Sequence, residues 1–151
     1  MNRFNCEQRE RTQPNKMILV ATQRSCTYLS LISMLHDAEI EFATADNLAL
    51  SLEKLQKQDV SVVICDRDLP AGGWKALLAA IETMPAAPLL VVTAPDADDK
   101  LWAEVLNLGG YDVLAQPLDV TEVQRVLLNA HYISRSTKPK AMKAAQQERT
   151  R

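Results

Sequence analysis

Four short strand-like runs in this chain end in side chains that can do chemistry. Ile18–Ala21 leads into Thr22 and Gln23, Val60–Cys65 into Asp66, Leu89–Val92 into Thr93, and Asp112–Ala115 into Gln116. Among these hydroxyls, carboxamides and one acid, Asp66 alone can serve as a carboxylate nucleophile and a fixed negative charge. Asp68, two residues further on in the string DRD, adds a second carboxylate, and such a pair could share a cation. The plain alternative for Asp66 is a turn or cap residue closing an apolar strand. Other reactive types form no cluster. His36 and His131 have no metal-ligand neighbours and read as surface or helix-end residues, and Cys6, Cys26 and Cys65 make an odd count without CxxC or Cys/His spacing. Three unpaired thiols point to a reducing, cytoplasmic setting.

The elements that must position these residues follow from periodicity. Strands are predicted at Met17–Ala21, Ile40–Thr44, Ser61–Asp66, Pro88–Thr93 and Asp112–Ala115. Between and after them, helical spacing predicts Ser25–His36, Leu48–Gln58 capped by Asn47, Trp74–Met84, Lys100–Leu108, and Glu122–Ile133 capped by Asp119 or Thr121. Trp74 and Trp102 read as packing residues at partly exposed helix ends. Pro70–Gly73 reads as a turn, and Gly109-Gly110 as a helix stop. Strand alternating with helix predicts an α/β fold with a parallel sheet. The runs Ile18–Ala21, Val60–Cys65 and Leu89–Val92 are continuously apolar, as strands covered on both faces must be. The expected architecture is therefore a doubly wound, five-stranded parallel sheet, whose ligands gather beyond the carboxyl ends of the strands. All the chemistry-bearing residues above fall there.

Composition agrees with one such domain. At 151 residues, 47% apolar and 24% charged, the chain can bury a single core without staples, which excludes a disulfide mini-protein or a wholly disordered chain. The net charge of −2 hides an uneven distribution. Arg3, Arg9, Arg11 and Lys16 lie in the polar segment 1–16, read as a flexible leader. Arg135, Lys138, Lys140 and Lys143 open the segment 134–151, read as a flexible basic tail. The domain between them, 17–133, is acidic. No apolar stretch reaches the about 20 residues of a membrane helix, so no membrane association is expected. The basic tail reads as a solvated end, and nucleic acid is not an expected partner.

Taken together, VVICDRDLPAGGW, PLLVVTA and LGGYDVLAQPL resemble, in order and spacing, the motifs of the response-regulator receiver family, CheY-like proteins of two-component signalling. The resemblance implies a flavodoxin-like (βα)5 fold with strand order 2-1-3-4-5. It implies Asp66 as phosphoacceptor, Thr93 as the hydroxyl contacting the phosphoryl oxygens, and Asp68 at a position that supplies a backbone carbonyl to Mg2+. It also implies a cis Gln116-Pro117 bond. At three places the chain departs from the family pattern. Thr22 and Gln23 occupy the positions of the metal-binding acidic pair, Gln116 that of a lysine, and Val113 that of an aromatic switch residue. One fixed donor to developing charge is typically worth about 10²–10³ in rate, so these losses predict inefficient standard phosphorylation. They predict weak Mg2+ binding as well, with only Asp66 and Asp68 as carboxylates.

The expected function is a stand-alone, non-enzymatic receiver in a phosphorelay. A sensor histidine kinase or phosphotransfer protein would supply the phosphoryl group. An effector protein would read the face formed by the fourth helix, fifth strand and fifth helix, and a homodimer is a further option. The alternative is a degenerate pseudo-receiver that works as a phosphorylation-independent interaction module. A remote alternative is a haloacid-dehalogenase-like phosphatase, whose Asp-x-Asp motif DRD resembles. That family carries the motif on its first strand, whereas here it follows the third.

Overall fold

The computed structural model describes residues 17–136 of the chain. The leader 1–16 and most of the basic tail lie outside the described residues. Five strands, β1 (Met17–Ala21), β2 (Glu41–Ala45), β3 (Val60–Asp66), β4 (Leu89–Ala94) and β5 (Asp112–Ala115), form one sheet in the order β2-β1-β3-β4-β5. All four pairings are parallel. Helices α1 (Ser25–Leu35), α2 (Leu48–Lys57), α3 (Gly73–Glu82), α4 (Asp99–Leu108) and α5 (Val120–Ser136) follow the strands in turn. This is the doubly wound, flavodoxin-like fold.

Alternation along each strand divides the core in two. Leu19, Val63 and Val92 face a cluster closed by Leu55, Leu77, Ile81 and Val105, and hence by α2, α3 and α4. Ile18, Val62, Ile64 and Val91 face the other cluster, closed by Leu31, Leu35, Val123 and Leu127 of α1 and α5. Residues Val60–Cys65 of β3 are all buried, because β3 lies in the middle of the sheet with a helix layer on either side. Fully burying a Val or Ile side chain stabilises by about 1.5–3 kcal/mol. The central strand is thus a rigid mount for whatever stands at its end.

Local signals set the boundaries. The Asn47 side chain accepts from the Leu50 N–H at 2.7 Å, and the Asp98 side chain from the Leu101 N–H at 2.9 Å, capping α2 and α4. Of the two candidate caps for α5, Asp119 acts, accepting from the Glu122 N–H at 2.9 Å. Helix α1 stops one residue short of its expected end. His36–Ala38 tightens into a 3-10 turn and Glu39 adopts a left-handed φ of 55°, which starts β2 one residue later. Helix α5 continues to Ser136, into the stretch read as the start of the tail.

Two side chains lie deeper than their sequence context suggested. Trp74 is only 3% exposed, filling the core beside β3 rather than a half-open helix end. His131 is buried as well, because α5 turns it toward the sheet, where its Nδ1 lies 2.6 Å from Ser61 Oγ. Trp102, by contrast, is 48% exposed and donates from Nε1 to Asp112 Oδ1 at 2.9 Å. Among the described residues no helix is long and apolar enough to cross a membrane. Cys26 is exposed and Cys65 buried, both as free thiols, while Cys6 lies outside the described residues.

Candidate functional site

Parallel register brings the strand ends into one row. Asp66 pairs with Thr93 across β3 and β4, and Ala21 pairs with Cys65 across β1 and β3, which sets Thr22 beside Asp66. Ladder-like bonds continue one residue past the strands, from Thr22 N to Ala45 O, Arg67 N to Thr93 O and Gln116 N to Ala94 O, at 2.9 to 3.0 Å. The side chains of Thr22, Asp66, Thr93 and Gln116 are therefore carried on hydrogen-bonded backbone rather than on free loops.

Two relays of hydrogen bonds orient this row. The Arg24 backbone N–H donates to Thr22 Oγ1 at 3.0 Å, and Thr22 Oγ1 donates in turn to Asp66 Oδ2 at 2.5 Å. One lone pair of the Thr22 hydroxyl is occupied, so its proton is turned toward the carboxylate. On the other side, Gln116 Nε2 donates to Thr93 Oγ1 at 3.1 Å. The buried Thr93 hydroxyl, 1% exposed, keeps its own proton to donate. Between the relays Asp66 Oδ1 is buried and has no hydrogen-bond partner among the described residues.

A cavity of about 100 Å³ opens over this carboxylate, lined among others by Gln23, Arg24, Arg67, Asp68, Thr93 and Gln116. Its lining includes no lysine. Asp66 has its pKa raised above the ordinary 3.8, first by burial, which outweighs the opposing Thr22 hydrogen bond and Arg24 charge; Asp68 raises it further. The loop after β3 completes the wall through three successive left-handed residues, Ala71, Gly72 and Gly73. At Gly73, with φ +66°, an added Cβ would stand 2.8 Å from the Arg67 carbonyl oxygen, so this close return needs glycine. Gln116-Pro117 is cis, as the family resemblance implied.

The donor set does not suit a divalent cation. Mg2+ seeks six oxygens in octahedral array and is usually held by one or two carboxylates. Here Asp68 is exposed and paired with Arg67, Nε to Oδ1 at 3.5 Å. Thr22 turns a proton rather than a lone pair toward Asp66, and two arginines line the space a cation would share. No group of three His, Cys, Asp or Glu among the described residues could hold a metal.

The residues expected beyond the strand ends thus meet at one end of the sheet: Thr22, Asp66, Thr93 and Gln116 bonded in their relays, Gln23 and Asp68 on the cavity wall. Val113 is buried at the neighbouring edge, beside Trp102. Sequence reasoning stopped at Gln23 and so missed Arg24. The available signal was a cation three residues past a strand end, at the start of the next helix, in an otherwise acidic domain.

Comparison with known proteins agrees with this fold. No curated protein matches the chain. A signal receiver domain of an HD domain-containing protein from Pseudomonas fluorescens Pf-5 superposes with a TM-score of 0.72 at 25% identity, covering 82% of this chain and 99% of that one. A CheY-like response regulator receiver domain protein from Methanospirillum hungatei JF-1 shares the fold with a TM-score of 0.68 at 17% identity, covering 80% and 96%. The beryllofluoride-activated NtrC4 receiver domain dimer does so with 0.70 at 19%, covering 78% and 98%. Residues 18–128 match the family model of the response regulator receiver domain. With strand order, strand-end aspartate and family model in agreement, the chain belongs to the response-regulator receiver family.

Proposed function

We propose that this receiver accepts a phosphoryl group on Asp66 and passes the change to a partner protein, acting as a switch and not as an enzyme. The observation that carries this reading is that Asp66, which lines a cavity otherwise rich in donors, keeps its buried Oδ1 without a hydrogen-bond partner among the described residues. Thr22 holds Oδ2, so Oδ1 keeps its lone pairs for an incoming phosphorus. The oxygen forms the new P–O bond while the donor's bond to phosphorus breaks and its electron pair leaves with the donor. For a sensor histidine kinase or a phosphotransfer protein the leaving group is imidazole. The Thr93 proton is available to a phosphoryl oxygen, and Gln116 fixes the hydroxyl from behind.

The partner surface we assign is the face of α4, β5 and α5. Trp102 and Leu106 are about half exposed there, and Asp98, Asp99 and Glu122 rim a shallow cavity of about 220 Å³. An effector carrying apolar and basic groups would suit it, and the NtrC4 receiver dimer makes a second copy of the chain another candidate. Phosphorylation would bias a two-state equilibrium by a coupling of about 1–3 kcal/mol. Val113 offers no ring to swing, so the readout rests on Thr93 and the loops. We assign this relay to the cytoplasm, where thiols such as Cys26 stay reduced.

Incubation of the full chain with acetyl phosphate, followed by intact-mass measurement, tests the reading. The wild type should gain one phosphoryl group and Asp66→Asn none. Modification that persists in Asp66→Asn would move the acceptor elsewhere. An unmodified wild type would leave the phosphorylation-independent interaction module, and turnover of a phosphomonoester would revive a phosphatase.

A further inference from the structure

The cavity over Asp66 needs positive charge if a phosphoryl group is to form there, and the donor set does not suit a metal. A phosphoryl group carries a charge of about −1.5 to −2 near neutral pH. Two cationic side chains line the cavity. Arg67 is engaged by Asp68 at 3.5 Å, so that pair brings little net charge. Arg24 forms no ion pair among the described residues and its charge acts on Asp66. Its backbone is also fixed beside the site, because the Arg24 N–H is anchored on Thr22 Oγ1 at 3.0 Å, one step from the carboxylate. A guanidinium is a planar fork of donors that can take two oxygens of a phosphoryl group at once.

Resting on the phosphoacceptor reading above, we propose that Arg24 takes the charge-neutralising place of a divalent cation, so that Asp66 is phosphorylated without metal. The step balances without a further reactant. Asp66 Oδ1 forms a bond to the phosphorus of acetyl phosphate, and the bridging P–O bond breaks with its electron pair leaving on acetate. No net proton is consumed. Arg24 contacts the peripheral phosphoryl oxygens from the β1 side and Thr93 donates from the β4 side. Because the Arg24 side chain is exposed and its backbone bond does not depend on side-chain type, Arg24→Gln should retain the fold and the Thr22 relay.

The experiment follows intact mass against time with acetyl phosphate, in excess EDTA and in millimolar Mg2+, for wild type, Arg24→Gln and Arg24→Lys. The wild type should be modified at the same rate in both buffers. Arg24→Gln should be slower by about 10²-fold or more in both, the usual loss for one donor to developing charge. Arg24→Lys, which keeps the charge but loses the fork, should fall between. A wild type modified only in Mg2+ would overturn the proposal and leave Asp66 as phosphoacceptor. Unchanged rates in Arg24→Gln would likewise remove Arg24 from the step. No modification of wild type in either buffer would overturn both this proposal and the reading on which it rests.

Discussion

The two ends of β3 handle a buried polar side chain in opposite ways. At the amino end Ser61 is fully buried, yet its hydroxyl lies 2.6 Å from His131 Nδ1 and 3.3 Å from the Met17 carbonyl oxygen, linking the strand to β1 and α5. At the carboxyl end Asp66 has one oxygen held by Thr22 and the other buried without a partner among the described residues. An unsatisfied buried polar group costs about 1–3 kcal/mol, and natural folds carry such conflicts chiefly at functional positions. The difference follows from topology. At the amino end α5 reaches down and covers the strand. At the carboxyl end the chain leaves β1, β3, β4 and β5 in diverging loops, and a cavity remains between them. One end holds the sheet together, while the other is left with unused bonding capacity.

Substitutions that act on one end only should separate these roles. The largest expected effect is at the open end. Thr93→Ala removes the hydroxyl that, on the proposed function, donates to the phosphoryl oxygens and should slow acetyl phosphate modification by about 10²–10³, while Thr93→Ser should restore most of it. At the closed end Ser61→Ala leaves the Met17 carbonyl and the His131 ring without that hydroxyl. It should lower unfolding free energy by about 1–3 kcal/mol in urea titration. Its modification rate should match the wild type. A Ser61→Ala protein that is fully stable but slow to be modified would show that the two ends are not separate.

The open end was largely legible in the sequence and the closed end was not. Strand-end positions follow from apolar runs and parallel order, so Asp66, Thr93, Thr22 and Gln116 could be set in one row from period alone. Strand and helix type held for every element, with boundaries moving by a residue or a few where caps competed, as at Glu39. Tertiary direction is what the pattern does not carry. His131 sits in a helix whose inward face is defined by Val123, Leu127 and Ala130, and its neighbour Tyr132 points outward, 70% exposed. A polar ring one residue past Ala130 reads as surface until the strand opposite is seen to offer Ser61. Trp74 packs as expected, but its depth escapes the pattern for a similar reason. Its inward turn is set by the left-handed run Ala71–Gly73, which a Pro-Ala-Gly-Gly string signals only as a turn. Side-chain reach escapes periodicity too, and Arg24 is the case in point: it lines the cavity from a residue beyond the strand end.

Two smaller effects sharpen the contrast. Gln116→Ala should leave Thr93 in place but free its hydroxyl to rotate. The loss of one neutral hydrogen bond, about 0.5–1.5 kcal/mol, corresponds to at most about tenfold in rate. Gln116→Ala at or below the rate of Thr93→Ala would mean that Gln116 touches the phosphoryl group itself.

The smallest effect is on stability and depends on pH. Burial raises the Asp66 pKa above 3.8, more than Thr22 and Arg24 lower it. A carboxyl group raised in the folded state binds its proton more tightly there than in the unfolded chain. Between the ordinary value and the raised one the folded state therefore holds more protons, and stability falls as pH rises through that window. Above it the penalty is complete and constant. Asp66→Asn removes the titration while keeping a partner for Thr22. The variant should unfold at a higher urea concentration than wild type at pH 7, and the gap should close as pH drops below 3.8. Arg24→Gln should change wild-type stability in the opposite direction at pH 7, since the charge that offsets burial is gone, with the two proteins converging in acid. A wild type at least as stable as Asp66→Asn at pH 7 would mean that the unpartnered oxygen is satisfied in solution, and the two ends of β3 would then be alike.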